Sequence, residues 1–411
     1  MQHILLKNSH IVDGTSSEKT DLVDVIIEND RIKEVGTNLK SSSAEIIDLN
    51  RHTLMPGLVD CHVHVTAVLA DLGANACLPD SLVTAHSLGI MRNMLMRGFT
   101  TVRDVGGADH GLIQVTQEGL FPTPRVITSG KALSQTGGHC DFRGRYNSDP
   151  VPLSRIPLGA IGRICDGVQE VRRAAREELK GGAHFIKVMA NGGCASPTDP
   201  IHFLGFSREE LLAVVEEASN ADTYVSAHLY TDQAIRRCVE CGVRSLEHCN
   251  LIEKDTAIFA ADHQAIAVPT LVTYDKLASE GLAKGFPADS VEKVKNVHKA
   301  GMDSLSVMRA AGLTMAYGTD LLGDMHCHQS EEFVIRGQVL PAHEVIASAT
   351  HHAAKLLCME GSIGAISPNA YADLIVVKGN PLEDLSLLTG QGVNIPIILK
   401  GGKFIKHQQL S

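Results

Sequence analysis

From Pro56 onward the chain alternates apolar strands of about five residues with longer helical patterns, and this alternation restricts the fold more than any other feature. Strands separated by helices must pair in parallel, and at this length the expected architecture is a (β/α)8 barrel. Two of the helical patterns, from Asp166 (DGVQEVRRAAREELK) and from Ser207 (SREELLAVVEEA), open on a capping residue. The 411 residues exceed the roughly 250 that such a barrel needs, so a second unit is required. The two ends supply it. His3 to Lys7, Val23 to Glu28 and Arg31 to Val35 read as strands, with turns at Asp13-Gly14 and Asn29-Asp30, and Ala372 to Val377 and Val393 to Leu399 read likewise. Neither end is large enough to hold a core alone. Residues 1–56 and 364–411 are therefore expected to join in one small β-sandwich domain, with the barrel, 57–363, inserted between them. Thr136 to Pro157 is rich in Gly, Arg, Asp and Pro and reads as a long loop, where a barrel tends to carry its function.

Composition removes several classes. Apolar residues make up 44% and charged residues 20%, enough burial to exclude disorder for most of the chain. The formal charge of −10 argues against nucleic acid as a partner. No uncharged apolar run approaches the roughly 18 residues of a membrane span. Met1 to Asn8 lacks the apolar region of a secretory signal, so a cytoplasmic protein is expected. Ten scattered cysteines are too few for a disulfide scaffold. The 20 histidines are many, and histidine is the commonest metal ligand.

Those histidines fall in a pattern. In Leu58-Val59-Asp60-Cys61-His62-Val63-His64-Val65 the strand period puts His62 and His64 on one face, roughly 6–7 Å apart, where they can converge on one ion. Four more residues end short apolar strands and precede loops: Lys187 in HFIKVM, His228 in YVSAHLY, His248 in SLEHCN and Asp320 in LTMAYGTD. Lys187 to His228 and His228 to His248 each leave room for one β/α unit. His248 to Asp320 leaves room for two, with Ala267 to Val272 as the strand between. His64 to Lys187 holds two further units and the long loop. The set then sits on strands 1, 4, 5, 6 and 8, at the rim where barrels do chemistry.

This set, an HxH pair with a strand-end Lys, two strand-end His and a strand-end Asp, resembles the amidohydrolase superfamily over nearly the whole chain. MPGLVDCHVHV looks like its signature. Gly98 to Asp104 (GFTTVRD), Thr136-Gly137-Gly138-His139 and Ala349-Thr350 with Ala353 to Leu357 (AAKLL) resemble the metal-dependent carboxypeptidase and Xaa-Pro dipeptidase (prolidase-type) branch, which includes enzymes that cut ochratoxin.

The resemblance implies two divalent ions, zinc first among them, although manganese, cobalt and iron suit the same ligands. His62 and His64 would hold one ion with Asp320, His228 and His248 the other, and Lys187 would bridge both. An ammonium has no lone pair, so Lys187 would have to be carboxylated. A hydroxide bridging the ions would attack the amide carbonyl, and Asp320 would carry its proton to the leaving nitrogen. His139 is expected to reach the scissile carbonyl or oxyanion, and Tyr230, two residues past His228, to bind the substrate carboxylate. Arg143 is a second candidate for that carboxylate.

The expected function is release of a C-terminal amino acid, proline or apolar, from dipeptides or N-acyl amino acids, with ochratoxin-like amides included, by a homo-oligomeric enzyme. A cyclic-amide hydrolase or deaminase of the imidazolonepropionase type is the alternative, against which Lys187 speaks; a ligand-binding barrel without turnover is the remote one. His326-Cys327-His328 lies in a loop, Cys238 and Cys241 lie on one helix, and His351-His352 lies on another. None of these is assigned a metal. Asp104 is expected to pack or to support the site.

Overall fold

A computed structural model of the chain describes residues 3–149 and 156–410. Eight strands carry the alternation: β1 (Leu58–Val63), β2 (Phe99–Asp104), β3 (Arg125–Thr128), β4 (Ile186–Met189), β5 (Val225–Thr231), β6 (Ser245–Leu251), β7 (Ile266–Val268) and β8 (Thr314–Met315). Strands β1 to β3 form one parallel sheet, and β4 to β8 pair in order in a second. The run Ala132–Ser134, just past β3, joins the second sheet beside β4. At the other edge the Cys61 N–H donates to the Tyr317 carbonyl at 2.7 Å, and the Asp320 N–H to the His62 carbonyl at 2.8 Å. Strands β1, β2 and β4 are buried along their whole length, as parallel strands covered on both faces should be.

Local signals explain the boundaries. Ser207 caps Arg208–Asn220 through a capping box, its hydroxyl accepting from the Glu210 N–H and the Glu210 carboxylate accepting from the Ser207 N–H. Asp166 precedes Gly167–Lys180 without a cap bond; its carboxylate instead accepts from the Thr136 N–H and hydroxyl, tying down the start of the long loop. The expected strand Ala267 to Val272 stops at Val268, because Pro269 has no N–H to continue a ladder and Leu271–Ser279 turns helical. Strands β5 and β6 run past their histidines rather than ending at them. Of the long loop, residues 150–155 lie outside the described set.

The two chain ends meet in one eight-stranded sheet. Its joint is the antiparallel pairing of Leu374–Val377 with Thr53–Pro56, and Ile4, Leu6, Val25, Val376, Ile397 and Leu399 share one apolar cluster. The tail departs from expectation. Val393 is exposed and follows a tight turn at Gly390–Gly392, so the strand starts only at Ile397. It gains a partner, Lys403–His407, whose basic residues (KFIKH) hide it from an apolar pattern search.

Candidate metal centre and substrate site

The residues expected at the rim come together in space. His62 lies in β1 and His64 just past it. The Nδ1 of His64 donates to the Gly106 carbonyl at 2.7 Å, and the Nδ1 of His62 contacts the Glu247 carboxylate at 2.7 Å. A carbonyl and a carboxylate can only accept, so each Nδ1 carries the proton and each Nε2 lone pair faces the centre. There the Asp320 Oδ1 lies 3.4 Å from the His62 Nε2 and 3.3 Å from the His64 Nε2. Three such acceptors at that range repel unless a proton or a metal ion sits among them. The donor set therefore fits a metal.

The rest of the set closes around this point. One ligand atom each from His62, His248 and Asp320 falls within 4.8 Å of the others. The His248 ring lies 4.7 Å from both the His62 and the His228 rings, and its Nδ1 contacts the Thr270 hydroxyl at 2.8 Å. The His228 Nε2 points at the Gly192 carbonyl at 3.4 Å, which turns its Nδ1 the other way. Burial and neighbouring histidines hold both His228 and His248 well below the ordinary imidazole range, the neutral form a ligand needs. Burial alone would raise the Asp320 carboxyl; positive charge where His62 and His64 face it outweighs burial and holds it well below the usual carboxylate range. Its side chain is 21% exposed, the most open of the set. Lys187 is buried, and burial pushes its ammonium down to about 8 against the pull of Glu247 and Asp320.

His139 and Tyr230 flank His228. The His139 ring stacks on it at 4.1 Å, and the Tyr230 ring meets it edge-on at 4.8 Å. The hydroxyls of Tyr274 and Tyr230 share a hydrogen bond at 3.0 Å. Past Asp320, Leu321, Leu322 and Met325 cluster with Tyr230, Tyr274 and Ile161, giving the site an apolar rim. A cavity of about 410 Å³ opens beside Cys140, Phe142 and Ile161. Arg143 also lines it, but its guanidinium is taken by Asp141 at 2.7 and 2.6 Å, so it is not the free carboxylate binder considered above.

Comparison with known proteins decides the family. The model of the amidohydrolase family matches residues 53–403. The chain belongs to the amidohydrolase family. It is similar to an ochratoxinase of Aspergillus niger, with 31% identity over 369 residues, which is 86% of this chain and 75% of that one. A solved amidohydrolase superposes with a TM-score of 0.98 at 48% identity, covering 99% of this chain and 100% of its own. A prolidase solved with N-methylphosphonate-L-proline superposes with a TM-score of 0.97 at 46% identity and the same coverage. This amidohydrolase is thus a hydrolytic enzyme.

Sequence reasoning missed the supports of the centre. Glu247 and Arg103 are fully buried and paired at 2.7 Å, with Arg103 also donating to the Cys61 carbonyl and the Ser245 hydroxyl. Burial would raise the Glu247 carboxyl, but Arg103 and His62 hold it well below the usual carboxylate range. Glu247 and His248 are neighbours on β6, so alternation alone sends them to opposite faces. His248 (φ +69°) and Cys249 (φ +58°) sit in the left-handed region, which breaks the alternation and lets both reach the centre. Such conformations cost of order 1–3 kcal/mol each and concentrate at functional sites. Asp320 (φ +54°) shares the feature.

The motifs set aside stay outside the centre. Asp104 accepts the backbone N–H groups of Val65, Gly106 and Ala108, shaping the turn that offers the Gly106 carbonyl to His64. His326 contacts the Ala67 carbonyl, and His328 pairs with Glu331 and Glu280. Cys238 and Cys241 lie on the helix Asp232–Glu240 and its end, and His351 and His352 start His351–Leu356. Among the described residues, no helix is long and apolar enough to cross a membrane.

Proposed function

We propose that this amidohydrolase hydrolyses the amide bond of dipeptides and N-acyl amino acids, releasing a C-terminal proline or apolar amino acid, with ochratoxin-like amides as further substrates. The observation that carries the reading is the placement of His139 and Tyr230 on either side of His228, at 4.1 and 4.8 Å. It gives one N–H and one O–H donor beside the centre, matching an amide carbonyl and the carboxylate next to it. The apolar rim of Leu321, Leu322 and Met325 suits a proline or hydrocarbon side chain. The likeness to an ochratoxinase and to a prolidase supports the same class.

On this reading His62, His64 and Asp320 would hold one divalent ion, zinc first among them, and His228 and His248 a second. Lys187, once carboxylated, would add its oxygens to the same ligand set. That pair of ions supplies the charge that acidifies a water and polarises the scissile carbonyl. Asp320 takes the proton of the attacking water and delivers it to the leaving nitrogen. The His139 N–H steadies the oxygen on which charge develops, and the Tyr230 O–H anchors the carboxylate. Carboxylation of Lys187 removes a buried cation that faces His228 and His248 and puts two oxygens in its place. In the same reading the eight parallel strands close as a (β/α)8 barrel over 57–363, and 1–56 with 364–411 form the β-sandwich. The enzyme acts in the cytoplasm as a homo-oligomer.

A substrate panel tests this. Xaa-Pro dipeptides, N-acetyl-proline, N-acetyl-phenylalanine and a cyclic amide are incubated with the enzyme, and released amino acid is quantified. Release of proline or phenylalanine is expected. Ring opening of the cyclic amide, without release from any linear member, would overturn the reading.

A further inference from the structure

His139 is held by a clamp built from three distant residues. It belongs to the long loop, and its Nδ1 lies 2.6 Å from the Ser196 hydroxyl and 3.4 Å from the Asp199 Oδ2. Ser196 and Asp199 lie on the loop that follows β4, and both are buried. The same Asp199 Oδ2 accepts the Gly193 N–H at 2.9 Å, closing that loop on itself. Asp199 Oδ1 is buried with no hydrogen-bond partner among the described residues. Burial would raise this carboxyl, but His139 first and Lys293 after it keep it below the usual carboxylate range.

Lys293 comes from the helix Ala288–Ala310. Its ammonium donates to the carbonyls of Gly193 at 3.0 Å, Ser196 at 2.8 Å and Asp199 at 3.3 Å. Three charge-assisted hydrogen bonds from one cation tie the loop to this helix. Gly193 completes the fit. A Cβ there would lie 1.8 Å from the His139 Cε1, so only glycine lets the ring pack against this backbone.

Resting on the role given to His139 above, we infer that Asp199, Ser196 and Lys293 are positioning residues that fix the His139 ring against His228. They do so by presenting one edge of the ring to the reacting carbonyl. Asp199 and Ser196 hold the Nδ1 edge and set the rotation of the ring, which leaves the Nε2 edge for the carbonyl. Lys293 holds the loop that carries them, so a helix remote in sequence sets the geometry of the substrate site. The clamp acts on the transition state: it orders a donor that substrate binding through Tyr230 does not require.

The test uses the metal-loaded enzyme and an N-acyl amino acid it hydrolyses, with an N-phosphonyl amino acid as the tetrahedral probe. Asp199→Asn and Lys293→Met are expected to lower kcat about ten- to a hundredfold, with KM changed less than about threefold. Affinity for the phosphonate falls in the same ratio as kcat. Lys293→Arg restores most of the activity, and Ser196→Ala gives a milder loss of the same kind if either harsher variant folds poorly. Joined to His139→Ala, Asp199→Asn adds nothing, because both act through one ring. Additive losses, or unchanged kcat in Asp199→Asn and Lys293→Met beside a crippled His139→Ala, would overturn the clamp and leave the role of His139 standing. Wild-type turnover in His139→Ala would overturn both.

Discussion

Asp320→Asn is expected to retain part of its metal and lose about 10²–10⁴-fold in kcat, the range that loss of a positioned proton carrier produces. The substitution keeps size and shape, so the oxygen that lies 3.3–3.4 Å from His62 and His64 can still face an ion. It removes the negative charge and the capacity to take a proton. Asp320 is the one member of the set both ionised and open toward solvent, whereas His228 and His248 are buried and already committed as neutral donors of a lone pair. No other carboxylate among the described residues stands in that position; Glu247 is fully buried and fully paired. Steady-state kinetics with metal analysis of the same sample separate the two effects. Unchanged kcat at full metal content would remove Asp320 from the proton path.

Arg103→Met should cost about 3–5 kcal/mol of folding stability, the penalty for leaving one charge of a buried pair uncompensated. Glu247 would then be left with the Ser226 and Ser245 hydroxyls and the His62 N–H. The effect extends to function, because Glu247 fixes the His62 tautomer, and loss of such an outer partner costs about 10–100-fold in metal affinity. Urea unfolding and metal titration measure the two parts. Adding Glu247→Gln to Arg103→Met should return a share of the stability, since the pair is coupled and the stranded charge is then gone. A loss below about 1 kcal/mol in Arg103→Met would show that the pair does not carry the centre.

The residues around the centre differed in how readable they were, for a physical reason. His62, His64, Lys187, His228, His248 and Asp320 end short apolar runs, and strand periodicity with β/α spacing is enough to bring such positions to one rim. Tyr230 followed from His228 by the same two-residue step. Glu247 was hidden because the left-handed backbone at His248 and Cys249 breaks that step. Arg103, Ser196, Asp199 and Lys293 meet the site only through tertiary packing, which no local pattern encodes. The two-ended sheet was legible in outline, while Lys403–His407 was not, since a half-exposed edge strand needs no apolar run.

The most direct test of the central claim is metal analysis joined to activity. The purified enzyme is assayed for release of proline or phenylalanine from N-acyl substrates before chelation, after it, and after zinc is restored, with bound metal counted at each stage. The account predicts about two ions per chain, loss of release on chelation and its return with zinc. Undiminished release from protein shown to hold no metal would contradict it.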